Sequence, residues 1–361
     1  QKEVHIGETV LKEGDWISMN GTTGKIYGGQ LNLIPANPET HNEYKHLMAW
    51  ADDARKLKIR TNAETPADAK QAIQFGAEGI GLCRTEHMFF DDTRIMAMRK
   101  MILAENPKER RSAVMELLPY QKNDFKGIFK AMKGFPVTIR LLDPPLHEFM
   151  TLTKPQIHDL ANHVNLDKSE VEKRITNLHE LNPMLGHRGC RLGIVYPEIT
   201  EMQARAIIEA ATELTAEGVA VLPEIMIPLV GTATEFIHQE TIVRDVAKKV
   251  MKEKGITLDY LVGTMIELPR ACLTADEIAE KAEFFSFGTN DLTQTTYGFS
   301  RDDIGSFLPS YLDHKILSQD PFQSLDVTGV GKLLSMAVES GRKVNSNLKI
   351  GICGEHGGDP A

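Results

Sequence analysis

Apolar and polar positions along the chain change their pattern at about residue 57. Before residue 28 they come in short alternating runs. Trp16-Ile17-Ser18-Met19 leads into an Asn20-Gly21 turn and then Gly24-Lys25-Ile26-Tyr27-Gly28-Gly29. Asn-Gly between alternating residues is a hairpin signal, because both residues tolerate the positive φ of a tight turn. Residues 1–28 are too few to bury a core, so they are expected to be the tail of a β-rich domain. Residues 29–56 are expected to be a linker. Its helical part spans 37–56, where Tyr44, Leu47, Met48 and Trp50 are interleaved with polar and charged residues.

From residue 57 onward, short β-rich runs alternate with helical segments. The runs fall at residues 58–61, 79–83, 137–141, 189–195, 224–230, 261–266, 284–288 and 349–354. Helical stretches such as 66–75 and 200–216 are closed by Gly76 and Gly218, residue types that favour the left-handed turn ending a helix. Eight βα units predict an α/β fold, a (β/α)8 TIM barrel over residues 57–361. Extra helical material lies between strands two and three and at residues 152–180. Because the eighth run ends close to Ala361, the final helix is expected to be missing. A doubly wound open sheet is the alternative architecture.

Composition then narrows the function classes. The net charge is −9, and the nearest basic run, Arg99-Lys100 with Lys108-Glu109-Arg110-Arg111, is broken by acids. That argues against a nucleic-acid surface, which needs clustered Lys and Arg. An acidic chain still binds an anion where a few arginines converge. No apolar run approaches the roughly 18–20 residues of a membrane span. Cys83, Cys190, Cys272 and Cys353 show neither a C-x-x-C pair nor zinc-like spacing, which predicts reduced thiols in a cytoplasmic or organelle-matrix setting. The sequence opens on Gln1, so the natural N-terminus and any targeting segment are expected upstream.

In a barrel, chemistry collects where strands end. Arg84 and Arg140 each follow apolar strand residues. A guanidinium matches phosphate or carboxylate oxygens, at about 1.5–3 kcal/mol per charge-assisted bond. For either alone, an ion pair with Glu86 or Asp143 competes with that reading; two on adjacent strands favour an anion site. Glu267 and Asp291 close neighbouring strands and suit Mg²⁺, a hard cation that keeps waters or substrate oxygens and stabilises a developing enolate. The competing reading makes Asp291 a helix cap and Glu267 a surface residue. Gly288-Thr289-Asn290-Asp291 is either turn chemistry or a loop offering backbone N–H groups and the Asn290 amide to a phosphate. Cys353, beside Gly354 and two residues after Gly351, lacks the bulky neighbours of a packing cysteine. Its thiol, with an ordinary pKa of about 8.5, would carry a proton to carbon at neutral pH. Cys83, Cys190 and Cys272 read as packing residues, and His87, His187 and His356 as structural ones.

Together these segments resemble the phosphoenolpyruvate-utilising enzymes. Phe285-Ser286-Phe287-Gly288-Thr289-Asn290-Asp291-Leu292-Thr293-Gln294 is similar to that family's signature. Three others point to its dikinase branch: Gly81-Leu82-Cys83-Arg84-Thr85-Glu86-His87-Met88-Phe89, Arg140-Leu141-Leu142-Asp143-Pro144-Pro145-Leu146-His147-Glu148-Phe149, and Gly351-Ile352-Cys353-Gly354-Glu355-His356-Gly357-Gly358. The likeness runs from about residue 8 to the end. It implies interconversion of ATP, pyruvate and phosphate with AMP, phosphoenolpyruvate (PEP) and diphosphate. It also implies a swivelling domain that carries a phosphohistidine from an ATP-grasp domain to this barrel, with residues 1–28 as that domain's end. By the same resemblance Arg84 and Arg140 hold the phosphoryl group, and Glu267 and Asp291 bind Mg²⁺. Gly288, Thr289 and Asn290 line the substrate site with those two acids, and Cys353 protonates enolpyruvate. The implied partners are PEP or pyruvate, the two other domains, and a second copy in a homodimer through the barrel. Neither a Thr-Ser-His-Ala-like motif nor an ATP-grasp segment occurs here. The chain is therefore expected to bind its substrate with Mg²⁺ without completing the reaction alone. A PEP synthase barrel, a Mg²⁺-dependent pyruvate-enolate lyase or aldolase, and a non-catalytic docking or dimerisation module remain the alternatives.

Overall fold

The computed structural model describes residues 3–33, 37–38, 40–91 and 93–359. The terminal residues Gln1 and Ala361, which bound the expected domains, lie outside them. The chain divides into two compact units, Gln1–Lys56 and Leu57–Ala361.

In the first unit, β1 (Glu3–Ile6) pairs antiparallel with β2 (Thr9–Lys12), and β3 (Ile17–Asn20) with β4 (Lys25–Gly28). Asn20 pairs with Lys25, so the turn is longer than two residues. The Asn20 side chain starts it by accepting the Thr23 amide at 3.0 Å, and Gly24 supplies the left-handed step at φ +66. Val4, Val10, Met19 and Ile26 on these strands are exposed, and the helix Asn42–Ala54 buries none of its residues.

The second unit is built on seven parallel strands that lie side by side in chain order. They are β5 (Thr61–Asn62), β6 (Ile80–Arg84), β7 (Pro136–Arg140), β8 (Leu222–Ile227), β9 (Leu261–Ile266), β10 (Phe284–Phe287) and β11 (Lys349–Ile352). The strand expected at 189–195 is instead the helix Gly189–Val195. Gly189, at φ +59, enters it, and Gly193, one turn later, leaves room for Gln239 of the helix Ala233–Lys254, with which an added Cβ would collide. Consequently β7 pairs directly with β8, and β11 is the seventh strand of the sheet, not the eighth.

Both faces of the sheet are covered, so its strands read as near-continuous apolar runs. Val137, Ile139, Ile225, Val262, Ile266 and Phe285 face outward. They join one core with Phe125, Ile207, Ala211, Phe236, Val243 and Ala337 of the surrounding helices. Leu82, Met226, Met265, Phe284 and Cys353 form a separate inner cluster. The sheet curls far enough for side chains from distant strands to meet inside it. Glu224 of β8 accepts from Arg60 Nη1 at 2.8 Å and from Thr138 Oγ1 at 2.8 Å, and it pairs with Lys349 of β11. The edges also approach, Asn62 Nδ2 lying 3.4 Å from the Cys353 carbonyl. No ladder joins β5 to β11 among the described residues. The unit is thus a partial TIM barrel, with its polar floor at the strand N-termini. No helix of the described residues is long and apolar enough to cross a membrane.

Candidate active site

Side chains alternate across a strand, so one inward position fixes the next but one. Thr138 faces the barrel interior, hence so does Arg140. Met265 leads in the same way to Glu267, Phe284 through Ser286 to Gly288, and Lys349 through Gly351 to Cys353. Strand parity therefore delivers these groups to the C-terminal mouth of the barrel.

An alternating chain of charges crosses that mouth. Arg140 Nη2 donates to Glu86 Oε1 at 2.5 Å, and its Nη1 lies 3.0 Å from Asp143 Oδ2. The same Asp143 oxygen accepts from Arg188 Nη2 at 2.6 Å, and Arg188 Nη1 lies 3.5 Å from Asp291 Oδ1. Burial works against the charges on Arg140 and Arg188. Asp143 with Glu86 around the first, and Asp143 with Asp291 around the second, outweigh it and hold both above the usual arginine value. Asp143 is also buried, but the two guanidiniums keep it below the ordinary carboxylate range. Glu267 goes the other way: burial first, then Asp291 and Asp143, push its carboxyl well above the usual value.

Many polar atoms here have no protein partner. Glu86 Oε2, Arg140 Nε, Asp143 Oδ1, Arg188 Nε, Glu267 Oε2 and Thr289 Oγ1 are all buried and unpaired among the described residues. Each such group costs about 1–3 kcal/mol if nothing satisfies it. Their concentration at one mouth marks a place built for a polar ligand.

A loop and a helix start complete the arrangement. The helix Thr289–Tyr297 begins directly after β10. Its first turn carries Asn290 and Asp291, whose negative charge suits a helix N-terminus. Gly288 lets the chain pass Glu267, since a Cβ there would lie 2.9 Å from Oε2 and 2.7 Å from the Met265 sulfur. Gly354 does the same against Thr289, with whose hydroxyl an added Cβ would collide. Asn290 Oδ1 accepts the Glu355 amide at 3.2 Å and so ties the Cys353 loop to this helix. The Cys353 thiol is buried, and burial pushes it up to about 11, while a hydrogen bond from Ser286 pulls it down. It is protonated at neutral pH. Arg84 pairs in register with Arg140 on the adjacent strand and gives its Nε to Glu64 Oε1 at 2.6 Å.

The family model described as "PEP-utilising enzyme, PEP-binding domain" matches residues 38–361. The chain belongs to the PEP-utilising enzymes. It is 58% identical over 359 residues to the chloroplastic pyruvate, phosphate dikinase of Flaveria bidentis, covering 99% of this chain and 38% of that protein. Against the chloroplastic pyruvate, phosphate dikinase 1 of Arabidopsis thaliana, identity is 58% over 362 residues, 100% of this chain and 37% of that protein. Against the pyruvate, phosphate dikinase of Rhizobium meliloti (strain 1021) it is 56% over 352 residues, 97% and 39%. The chain thus spans a little over a third of these relatives.

For a PEP-utilising enzyme, the residues fit a divalent cation. Glu267 Oε2 is a buried carboxylate oxygen without a partner, and the nearby Asp291 raises the cost of charging it. Among the described residues no three His, Cys, Asp or Glu converge as a metal cage. Two carboxylates leave positions for water or substrate oxygens, as Mg²⁺ prefers.

Several sequence readings change. Asp291 is not the helix cap, a position Gly288 takes, and Glu267 is completely buried rather than on the surface. Cys353 does have bulky neighbours, Met265 and Phe284 among them, so a lack of packing is not what distinguishes it. Arg140 takes both Glu86 and Asp143, whereas Arg84 takes Glu64, an acid the sequence reading passed over. Arg188 was missed as well, standing beside the stretch read as a strand. So was Ser286, although it lies two residues before Gly288 on the same strand face.

Proposed function

We propose that this chain is the barrel of a pyruvate, phosphate dikinase, in which a phosphoryl group passes between a phosphohistidine and the enolate oxygen of pyruvate. The convergence of Arg140, Arg188, Glu267, Asp291 and Cys353 on one buried mouth carries this reading. Phosphoryl transfer is mostly positioning and charge neutralisation. Arg84 and Arg140 hold the phosphoryl oxygens. The free amides at the start of the helix Thr289–Tyr297 and the Asn290 side chain line the site beside them. Glu267 and Asp291 are the residues that would hold Mg²⁺, which when bound supplies Lewis-acid stabilisation of the enolate oxygen.

Cys353 handles the carbon. Neutral at physiological pH, it gives its proton to the methylene carbon of enolpyruvate, and its thiolate takes the proton back in the reverse direction. The Ser286 hydroxyl supports that thiolate. Leu82, Met226, Met265 and Phe284 pack beneath the sulfur and keep water from below. ATP and phosphate chemistry belongs to an ATP-grasp domain, a swivelling domain is the carrier, and the barrel pairs with a second copy. The full reaction converts ATP, pyruvate and phosphate to AMP, PEP and diphosphate.

Proton NMR of pyruvate in D₂O with Mg²⁺ tests this, using protein that contains this barrel with its phosphohistidine domain. The methyl protons are expected to exchange, and the Cys353→Ala form to abolish the exchange. Exchange that survives the substitution rules the thiol out.

A further inference from the structure

Arg84 differs from the other two arginines of the mouth. Arg140 and Arg188 are buried and each touches two carboxylates, whereas Arg84 is 40% exposed in its side chain and pairs with one. That partner, Glu64, stands just beyond β5, two residues after Asn62, and its side chain is 18% exposed. Its two oxygens do different things. Oε1 accepts from Arg84 Nε at 2.6 Å, and Oε2 lies 3.2 Å from His87 Nδ1. A carboxylate only accepts, so Nδ1 is the protonated nitrogen of that ring. Among the described residues, the two terminal nitrogens of Arg84 have no hydrogen-bond partner.

A guanidinium has five donors in a fixed fork. A carboxylate on Nε fixes the plane of the fork and leaves both terminal NH₂ groups free. Those are the groups that meet two phosphoryl oxygens side by side. An exposed arginine without this restraint keeps rotamer freedom that binding must remove. His87 braces Glu64 from the other side, so that the carboxylate is itself oriented.

We propose that Glu64 is a positioning residue for Arg84, holding the guanidinium by its Nε so that its free end is set for the phosphoryl group. This rests on the assignment of Arg84 to the phosphoryl group made above. An opposing effect exists: Glu64 also lowers the positive potential that Arg84 presents. At this exposure the Coulomb part is screened by water, so the restraint outweighs it.

Isothermal titration of PEP and of pyruvate into this chain, with Mg²⁺, decides the matter through a double-mutant cycle. Glu64→Ala is expected to weaken PEP binding about tenfold and pyruvate binding less than twofold. In an Arg84→Ala background it should have no further effect on PEP. Glu64→Gln, which keeps an acceptor and a similar shape, should recover part of the loss and serves if the alanine form does not fold. Equal losses for both ligands, or additive losses with Arg84→Ala, would make Glu64 merely structural. Tighter PEP binding in Glu64→Ala would make it a competitor of the substrate. If Arg84→Ala weakens PEP but Glu64→Ala does not, only the positioning role falls. If Arg84→Ala leaves PEP unaffected, the phosphoryl assignment falls first and takes this role with it.

Discussion

The amide of Leu229 donates to Glu267 Oε1 at 2.6 Å, and Leu229 itself sits at φ +58. A bulky residue in that left-handed region is strained by about 1–2 kcal/mol, and the buried carboxylate is the partner that holds it there. Glu267 therefore does two jobs with two oxygens, one bracing the chain and one left free in the mouth.

That division makes a pH signature. The Glu267 carboxyl is raised in the fold, so the folded state binds a proton that the unfolded state has released. The cost of this grows as pH climbs above the ordinary carboxylate range and levels off beyond the raised value. Glu267→Gln keeps an oxygen for Leu229 and removes the charge. In metal-free buffer the variant is expected to gain stability relative to the parent as pH rises, and added Mg²⁺ should stabilise only the parent. Parallel melting curves across pH would count against the raised carboxyl.

Arg84→Lys tests phosphate recognition directly. Lysine keeps the charge but loses the fork. PEP binding is expected to weaken about tenfold or more, with pyruvate binding nearly unchanged. Equal losses by calorimetry would contradict the assignment.

Arg188→Met probes the charge chain. The substitution fills the volume but leaves Asp143 and Asp291 without their shared cation. A broken buried pair costs about 3–5 kcal/mol, readable as a lower midpoint in urea denaturation. A change below about 1 kcal/mol would mean that Arg140 alone compensates Asp143.

Far from the mouth, Glu213 gathers Lys122 at 3.1 Å, Lys126 at 3.0 Å and Lys254 at 3.3 Å. Burial alone would raise its carboxyl, but the three ammonium groups outweigh that and bring it to about 2. The folded pKa is depressed, so this contribution is present above the ordinary carboxylate value of 4.5 and fades as pH falls toward 2. Glu213→Gln should cost about 1 kcal/mol at pH 7 and low salt. The loss should shrink in roughly 1 M salt, where the Debye length is about 3 Å. A cost independent of salt would point to packing instead.

How much of this was legible in the sequence depends on what covers each segment. The runs at 261–266 and 284–288 match β9 and β10 within a residue, because both faces of those strands are buried and apolar. The Leu192-Gly193-Ile194-Val195 run is equally apolar but too short for periodicity to separate strand from helix. Gly189 and Gly193 were the overlooked sign of a tightly packed turn. At the mouth, Arg84, Arg140 and Glu267 stood out because a charged residue directly after an apolar run marks a strand end. Arg188 and Glu64 carried no such mark. One enters from a loop ahead of a short helix, and the other follows a strand of only two residues.

The inner cluster of Leu82, Met226, Met265 and Phe284 lies between two sets of charges, Arg60, Glu224 and Lys349 below and the mouth above. After burial, the largest influences on Glu224 and Lys349 come from the floor, and those on Cys353 from Ser286 and the charges of the mouth. What separates the two sets is distance, since an apolar layer screens charge less than water does. A polar substitution within this layer would stand against both sets of charges at once and, left unpaired, would cost about 1–3 kcal/mol.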